Sequence, residues 1–181
     1  MATMPLKVLP LGDPGEAAPP LHPLIAVKLW DNPCWLSFRI NLLGLHFNLP
    51  VYGWIERRHG LKRPEYVVLY SLHLRDGIAA KDVCASAGFP KNTLSRGIQK
   101  LVRRRLIQRT PDPRDRRSYV LRLTQEGRRI LGETVPAMVE RERQMLESLS
   151  PPEQIVLSKL LARLVTDSPT WPTEIAQEDQ T

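Results

Sequence analysis

A one-sided apolar stripe in residues 90–105 constrains the fold of this chain more than any other feature. Apolar side chains recur there with the spacing i, i+4, i+7 and i+8: Leu94, Ile98, Leu101 and Val102. This spacing predicts an amphipathic helix that begins at Pro90 and reaches about Arg105. Residues 79–87 predict a shorter helix before it, and Gly88-Phe89 predicts a tight turn between the two. Two short helices joined by a glycine turn, the second of them basic, are typical of a helix-turn-helix.

A β-hairpin is predicted directly after this motif. Residues 106–110 and 119–123 predict two strands, the second with Tyr119, Leu121 and Leu123 on one face. The connecting loop is charged and rich in turn residues, so the hairpin forms a wing with a basic tip. Four more helices are expected, over residues 33–59, 65–74, 124–149 and 151–165. The fold class is therefore mainly α, a winged helix-turn-helix with six helices and a β-hairpin wing.

The outer helices contain recognisable start and stop signals. Pro33 suits the first position of the first helix, Gly60 suits its end, and Pro50 predicts a kink. Thr124 is expected to cap the fifth helix with its hydroxyl group. The last helix has an apolar stripe too wide for one small domain, so we expect it to pack against a second subunit.

Positive charge is concentrated in one stretch of the chain. Residues 91–129 contain thirteen Lys or Arg and three Asp or Glu, a net charge of +10, whereas the remainder contains thirteen and sixteen, a net charge of −3. Because the charge is placed on the helix-turn-helix and its wing, double-stranded DNA is the predicted partner. A non-specific architectural protein is the alternative, since such a stretch binds any nucleic acid through its phosphates.

The predicted DNA-binding residues lie on the second helix of the motif and in the wing loop. They are Lys91, Asn92, Thr93, Ser95, Arg96, Gln99, Arg103, Arg114, Asp115, Arg116 and Arg117. Arginine can bind guanine through two hydrogen bonds, and Asn or Gln can do the same with adenine. An arginine at a hairpin tip can enter the minor groove, and an aspartate two residues earlier can hold it in place. The alternatives are a solvated polar helix face and an ordinary surface loop of ion pairs.

Two segments resemble the MarR family of bacterial regulators. They are Asp112-Pro113-Arg114-Asp115-Arg116-Arg117 and Leu123-Thr124-Gln125-Glu126-Gly127, within a layout of six helices and a wing over residues 33–165. The resemblance implies that Asp115 orients Arg117. It also implies a homodimer joined through the N- and C-terminal helices, a palindromic operator, and repression relieved by a small ligand.

The chain departs from the family pattern at two positions. The family usually has glycine after the recognition helix, where this chain has Arg105, so a left-handed turn there would be strained. Pro90 replaces the usual Ser or Asp cap, which leaves the first residue of the recognition helix open.

The resemblance implies an effector, typically an aromatic carboxylate or phenolic compound, bound between the wing domain and the dimer helices. The candidate ligand-binding residues are Arg39, His46, Trp54, Tyr66, Tyr70 and His73. An Arg or a protonated His can hold a carboxylate, and aromatic rings can stack on the effector. Each of the six can equally be an ordinary core or surface residue.

Thiol-based redox sensing by Cys34 is the alternative to an aromatic effector. Cys34 lies near the start of the first predicted helix, like the reactive cysteine of the hydroperoxide-sensing members of the family, and Tyr66 falls near a tyrosine used there. A buried, inert Cys34 is the competing interpretation, and Cys84 is expected to be structural.

The remaining composition argues against other classes of protein. We find no phosphate-binding glycine loop and no nucleophile elbow, so no enzyme and no cofactor is predicted. The four histidines are far apart, which predicts no metal site. No signal peptide or membrane span is expected, and a cytoplasmic protein is predicted. The predicted segments are a proline-rich arm at 1–32, the first dimerisation and pocket helix at 33–62, the DNA-binding domain at 63–123, the C-terminal dimerisation helices at 124–167, and a flexible tail at 168–181.

Overall fold

The computed structural model describes residues 22–112 and 119–174, and its chain divides into two compact units with the boundary after Met138. The elements in chain order are α1 (Pro23–Trp30), α2 (Trp35–His59), α3 (Arg63–Leu74), β1 (Ile78–Ala79), α4 (Ala80–Ser86), α5 (Lys91–Arg103), β2 (Ile107–Pro111), β3 (Tyr119–Leu123), α6 (Gln125–Met145), α7 (Pro151–Asp167) and a 3₁₀ turn (Ser168–Thr170). This is the predicted mainly α winged helix-turn-helix, with one additional helix and one additional strand.

The additional helix, α1, lies in the segment predicted to be a proline-rich arm, residues 1–32. Pro23 occupies its first turn, where a missing N–H costs nothing, and the His22 Nδ1 accepts a hydrogen bond from the Leu24 N–H at 3.3 Å. Arg39 of α2 donates to the Leu29 carbonyl at 2.6 Å and so ties α1 to α2. The prolines of the arm argued against a helix in this segment. Pro23 is nevertheless compatible with one, because a proline is tolerated in the first turn of a helix.

The first long helix, α2, begins at Trp35 rather than Pro33, with Cys34 at the N-cap position. It continues through Pro50 and ends at Gly60, whose φ of 63° is left-handed, as predicted. The following helix, α3, is the centre of the core, also as predicted: Tyr66, Val68, Leu69 and Leu72 are buried.

The additional strand, β1, completes a three-stranded antiparallel sheet in the order β1-β3-β2. Ile78 pairs with Leu121 and Ala79 pairs with Val120. A strand of only two residues is too short to show an alternation of apolar and polar side chains. The local sequence could therefore not reveal β1, which forms by pairing with β3. On β3, Tyr119 is exposed while Leu121 and Leu123 are buried.

The junction between the wing and α6 explains the Leu-Thr-x-x-Gly segment. The Thr124 hydroxyl accepts a hydrogen bond from the Gly127 N–H at 3.1 Å, which confirms the predicted cap. The Leu106 carbonyl accepts from the Thr124 N–H at 3.1 Å. A Cβ on Gly127 would lie 2.3 Å from that same carbonyl oxygen, so only glycine fits there.

The C-terminal unit contains the end of α6 and the whole of α7. Ser150 precedes α7 as its cap, and its N–H donates to the Glu153 carboxylate at 2.8 Å. No residue of α7 is buried. The large apolar side chains left exposed on it are Ile155, Val156, Leu157, Leu160, Leu161 and Val165.

Within residues 22–112 and 119–174, no helix is long and apolar enough to cross a membrane.

Candidate nucleic-acid interface

The helix α5 has one buried and one exposed face. Leu94, Gly97, Ile98 and Leu101 are buried. Most of the predicted DNA-binding residues of this helix are exposed on the other side: Lys91, Asn92, Ser95, Arg96, Gln99 and Arg103, with Thr93 half-buried. The structure therefore brings all seven helix candidates onto one short element, six of them open to solvent.

The start of α5 is fixed by the backbone of Pro90. Pro90 is the N-cap residue and no side chain caps the helix. Its carbonyl accepts hydrogen bonds from the N–H groups of Thr93 at 3.0 Å and Leu94 at 3.3 Å. Lys91 is consequently the first helical residue, which answers the question that the missing Ser or Asp cap had left open.

An ion pair holds α5 against α3. The Lys100 Nζ lies 2.8 Å from the Glu65 Oε1 and 2.9 Å from its Oε2, and Glu65 is only 7% exposed. The Glu65 carboxylate also accepts from the Lys62 N–H at 3.0 Å. Gly97 faces Glu65, where a Cβ would make an ordinary van der Waals contact with the Glu65 Cγ at 3.6 Å. Sequence reasoning missed Glu65 as a positioning residue, although a lone acid in an apolar helix was a signal.

The end of α5 is fastened to the end of α2. Arg104 donates to the carbonyls of His59 at 2.7 Å and Gly60 at 3.0 Å. Arg105 then turns the chain with a φ of 56°, and it is the one non-glycine residue with positive φ in the described part of the chain. The departure from the family glycine is therefore accommodated by a left-handed arginine and not by a different helix end.

The base of the wing is anchored by Asp76. Its Oδ1 accepts from the N–H groups of Gly77 at 3.1 Å and Leu123 at 2.9 Å, and its Oδ2 pairs with Arg128 at 3.0 Å. Arg128 also donates to the Leu123 carbonyl at 3.2 Å. These contacts fix the end of strand β3 against the turn that follows α3. The four predicted wing residues, Arg114, Asp115, Arg116 and Arg117, lie outside the described residues.

The six ligand candidates do not form one site. Tyr66, Tyr70 and His73 form a row of stacked rings along α3, with centroid separations of 6.4 and 6.2 Å. Arg39 lies far along α2 from this row, with its guanidinium 5.3 Å from the Trp30 ring centroid. His46 is exposed on α2.

The buried end of the tyrosine row is already satisfied within the fold. The Tyr66 hydroxyl forms a 2.7 Å hydrogen bond with the Thr134 hydroxyl, and burial raises the pKa of Tyr66 to about 12. Sequence reasoning missed Tyr52, whose ring packs edge-on against Tyr66 at 6.0 Å, and Arg63, which lies over the Tyr52 ring at 5.3 Å.

His59 closes the contact between α2 and α6. Its Nε2 lies 3.7 Å from the Glu133 carboxylate, and its side chain is 7% exposed. Trp54, the remaining ligand candidate, packs edge-on against the His59 ring at 6.3 Å. Burial lowers the pKa of His59, and the attraction of Glu133 opposes this only in part.

Cys34 is exposed, so the interpretation of a buried thiol is wrong for this structure. Its N–H donates to the Asn32 Oδ1 at 2.9 Å. Cys84 packs partly buried against the core, as expected of a structural residue. Among the residues that the structure describes, no group of three His, Cys, Asp or Glu side chains could hold a metal ion.

Residues 59–118 match the MarR family model. This domain is therefore similar to that of the MarR family. The transcriptional regulator HosA of Escherichia coli O111:H- is 28% identical over 112 residues, which is 62% of this chain and 83% of that protein. The transcriptional repressor NicR of Pseudomonas putida is 24% identical over 101 residues, 56% of this chain and 64% of that protein.

Solved structures of the family have the same fold. A MarR/EmrR regulator of Acinetobacter superposes with a TM-score of 0.66 at 23% identity, covering 75% of this chain and 95% of the other. A probable transcriptional regulator of Pseudomonas aeruginosa gives a TM-score of 0.57 at 27% identity, covering 72% and 97%. In sequence and in fold the chain is accordingly similar to transcription regulators of the MarR family.

Proposed function

We propose that this protein is a homodimeric repressor of the MarR family, released from a palindromic operator by a small aromatic carboxylate or phenol. The observation that carries the proposal is the exposed polar face of α5. That face is held rigidly by the Lys100–Glu65 ion pair at one side and by Arg104 at the helix end. A rigid helix with Asn92, Arg96 and Gln99 on its open face has the groups that read base edges in a major groove.

The homodimer is supported by the unpartnered apolar faces. On α7, six large apolar side chains are exposed and none is buried. On α1 and the first half of α2, further large apolar side chains are exposed: Leu24, Val27, Leu36, Ile40, Leu43, Leu45 and Leu49. Apolar faces of this extent mark interaction surfaces. A second copy is the occupant we infer, because a two-fold dimer offers each face a self-complementary partner and presents two recognition helices to a palindrome.

The wing is assigned to the minor groove beside each half-site. Asp115 would orient Arg117 there, while Arg114 and Arg116 contact the backbone. In this arrangement Arg117→Ala weakens operator binding and leaves the dimer intact, whereas Gln99→Ala changes the preferred sequence. Each wrong base pair costs roughly 1–3 kcal/mol, so Gln99→Ala should lower discrimination at one position by about tenfold to a hundredfold.

The effector is proposed to bind near the aromatic side chains between α2 and α3. Trp54, Tyr70 and His73 are the candidates with a partly or fully accessible ring. Arg39 is less suited to a carboxylate than expected, since its guanidinium already packs against Trp30 and Trp35. A redox switch at Cys34 is the second candidate, favoured by the exposure of its thiol.

The deciding experiment is fluorescence anisotropy of the purified protein on the DNA upstream of its own gene, against a scrambled duplex at the same salt concentration. A specific regulator prefers its operator by at least roughly a thousandfold. Equal affinity for both duplexes would instead indicate an architectural protein. The operator complex is then challenged with a panel of aromatic acids and phenols, and separately with an organic hydroperoxide.

The two effector classes give opposite responses to added thiol. Release by one aromatic compound, unaffected by thiol, supports the ligand-switched repressor. Release by hydroperoxide alone, reversed by thiol and abolished in Cys34→Ser, supports the redox sensor.

A further inference from the structure

A groove of about 500 Å³ lies between the start of α3 and the exposed face of α5. The charged side chains that line it are Lys62, Glu65, Arg96, Lys100 and Arg103, and Thr93 and Gln99 are polar lining residues. Arg96, Gln99 and Arg103 belong to the predicted base-reading face, whereas Lys62 belongs to another helix and entered no prediction. The groove therefore continues the recognition face onto α3.

The groove has a surplus of positive charge. Four of the side chains that line the groove are cationic and one is anionic, which gives a net charge of +3. The one carboxylate, on Glu65, is already saturated by Lys100 and by the Lys62 N–H. In the described part of the chain, no carboxylate pairs with Lys62, Arg96 or Arg103. Three cations thus face one cavity without a counter-charge, an arrangement that attracts an anion.

We propose that this groove seats a backbone phosphate of the bound DNA, with Lys62 contacting it from α3 and Arg103 from α5. The inference rests on DNA binding by α5 and adds a contact outside that helix. The phosphate is held by side chains, because the Lys62 N–H at the helix start is already given to Glu65. Phosphate contacts fix the register of a protein on the duplex without reading sequence. Lys62 is therefore a positioning residue for α5.

The test is the salt dependence of DNA binding by the full-length protein, measured by anisotropy on the operator and on a random duplex. Each neutralised phosphate contributes about 0.9 to the slope of log K against log salt concentration. With one groove in each protomer of a dimer, Lys62→Ala should lower the slope by about 1.8 on both duplexes. Lys62→Arg should restore it, because the charge is kept.

The matched control is Lys159→Ala, which removes the same charge from an exposed position on α7. It should leave the slope unchanged. Equal slopes for wild type and Lys62→Ala, or equal losses for Lys62→Ala and Lys159→Ala, overturn the proposal. Thermal unfolding of each variant confirms that the fold is intact, as expected for exposed lysines.

Two further measurements separate this proposal from a site for free anions and from the proposed specific regulator. At constant ionic strength, inorganic phosphate should displace DNA no better than chloride; stronger displacement would identify a site for free anions and overturn the inference. A wild-type protein without operator preference would refute the specific regulator, while the slopes on the random duplex would still decide the role of Lys62.

Discussion

Arg105 has a left-handed backbone conformation that is strained for any residue with a Cβ atom. A left-handed φ of 56° brings Cβ close to the following carbonyl, at a cost of roughly 1–2 kcal/mol for a residue other than glycine. The turn is imposed by its neighbours: the Leu106 N–H donates to the Leu101 carbonyl at 3.0 Å, and the Thr124 hydroxyl donates to the Arg105 carbonyl at 2.8 Å. The left-handed turn at Arg105 thus leads directly into strand β2 and is tied to the residue before helix α6.

Replacing Arg105 with glycine should raise the free energy of unfolding by about 1 kcal/mol, because the strain disappears. Urea denaturation followed by circular dichroism measures this. Arg104→Gly is the matched control: Arg104 has a φ of −77° and bonds two carbonyls of α2, so its loss should destabilise the protein. An Arg105→Gly variant no more stable than wild type would contradict the strain argument.

Gly127 illustrates a steric requirement of the opposite kind. Gly127→Ala should lower the free energy of unfolding by about 1–3 kcal/mol, since its Cβ would meet the Leu106 carbonyl oxygen at 2.3 Å. Gly132 on the same helix has no atom within 4 Å of a built Cβ, so Gly132→Ala should instead stabilise α6 by roughly 0.5–1 kcal/mol. Thermal melts of the two variants should therefore shift in opposite directions.

At the scale of elements, the placement of α5 depends on contacts at the helix ends. The Lys100–Glu65 pair joins α5 to α3, Arg104 joins it to α2, and His59 joins α2 to α6 through Glu133. Glu133 is in turn paired with Arg58 and Arg129. The recognition helix is therefore coupled to α2, the helix proposed to meet a second subunit, by charged groups and not only by the apolar core.

The contact between His59 of α2 and Glu133 of α6 should make the free energy of unfolding depend on pH. Because burial lowers the pKa of His59 below its usual 6.5, the folded state favours the neutral ring. The contribution is complete above pH 6.5 and is lost as pH falls through the lower, folded-state pKa. The urea midpoint of wild type should thus decline between pH 7 and 5 more steeply than that of His59→Gln. Parallel profiles would contradict this prediction: they would indicate that the attraction of Glu133 offsets burial and the repulsion from Arg58, Arg129 and Arg104.

At the scale of the whole molecule, the described chain has more apolar surface than its own core can bury. No residue of α7 is buried, and large apolar side chains are also exposed in the first half of α2. Both segments form regular helices, and Ser150 with Glu153 caps the start of α7. We attribute their exposed apolar surface to burial in a homodimer.

Leu160→Glu should break this dimer, since burying Leu contributes about 1.5–3 kcal/mol and a buried charge costs more. The dimer dissociation constant should rise at least about a hundredfold, as measured by analytical ultracentrifugation, and operator affinity should fall with it. Lys159→Glu, one residue earlier in the same helix, introduces the same side chain at a polar position. Unchanged association of Leu160→Glu would place the dimer interface elsewhere.

The candidate site was predictable where its signal is local. The stripe of Leu94, Ile98 and Leu101 defines which face of α5 is buried, and hence which side chains face outward. Glu65, Lys62 and Arg104 were not predictable as parts of this site, because their partners are 35 to 45 residues away in the chain or on another helix. The candidate effector residues lie on two helices, α2 and α3, and the sequence alone could not show which of them come together.

The sequence by itself determined the order of helices, the helix-turn-helix, the wing strands and the turns at Gly60 and Gly88, because periodicity and glycine conformation act over a few residues. Only the tertiary structure decided that α1 is a helix, that β1 exists, that Arg105 is left-handed and that Glu65 supports α5. Strand β1, the turn at Arg105 and the support from Glu65 depend on partners distant in sequence, and such pairing leaves no pattern in the segment itself. Helix α1 is tied to α2 through Arg39.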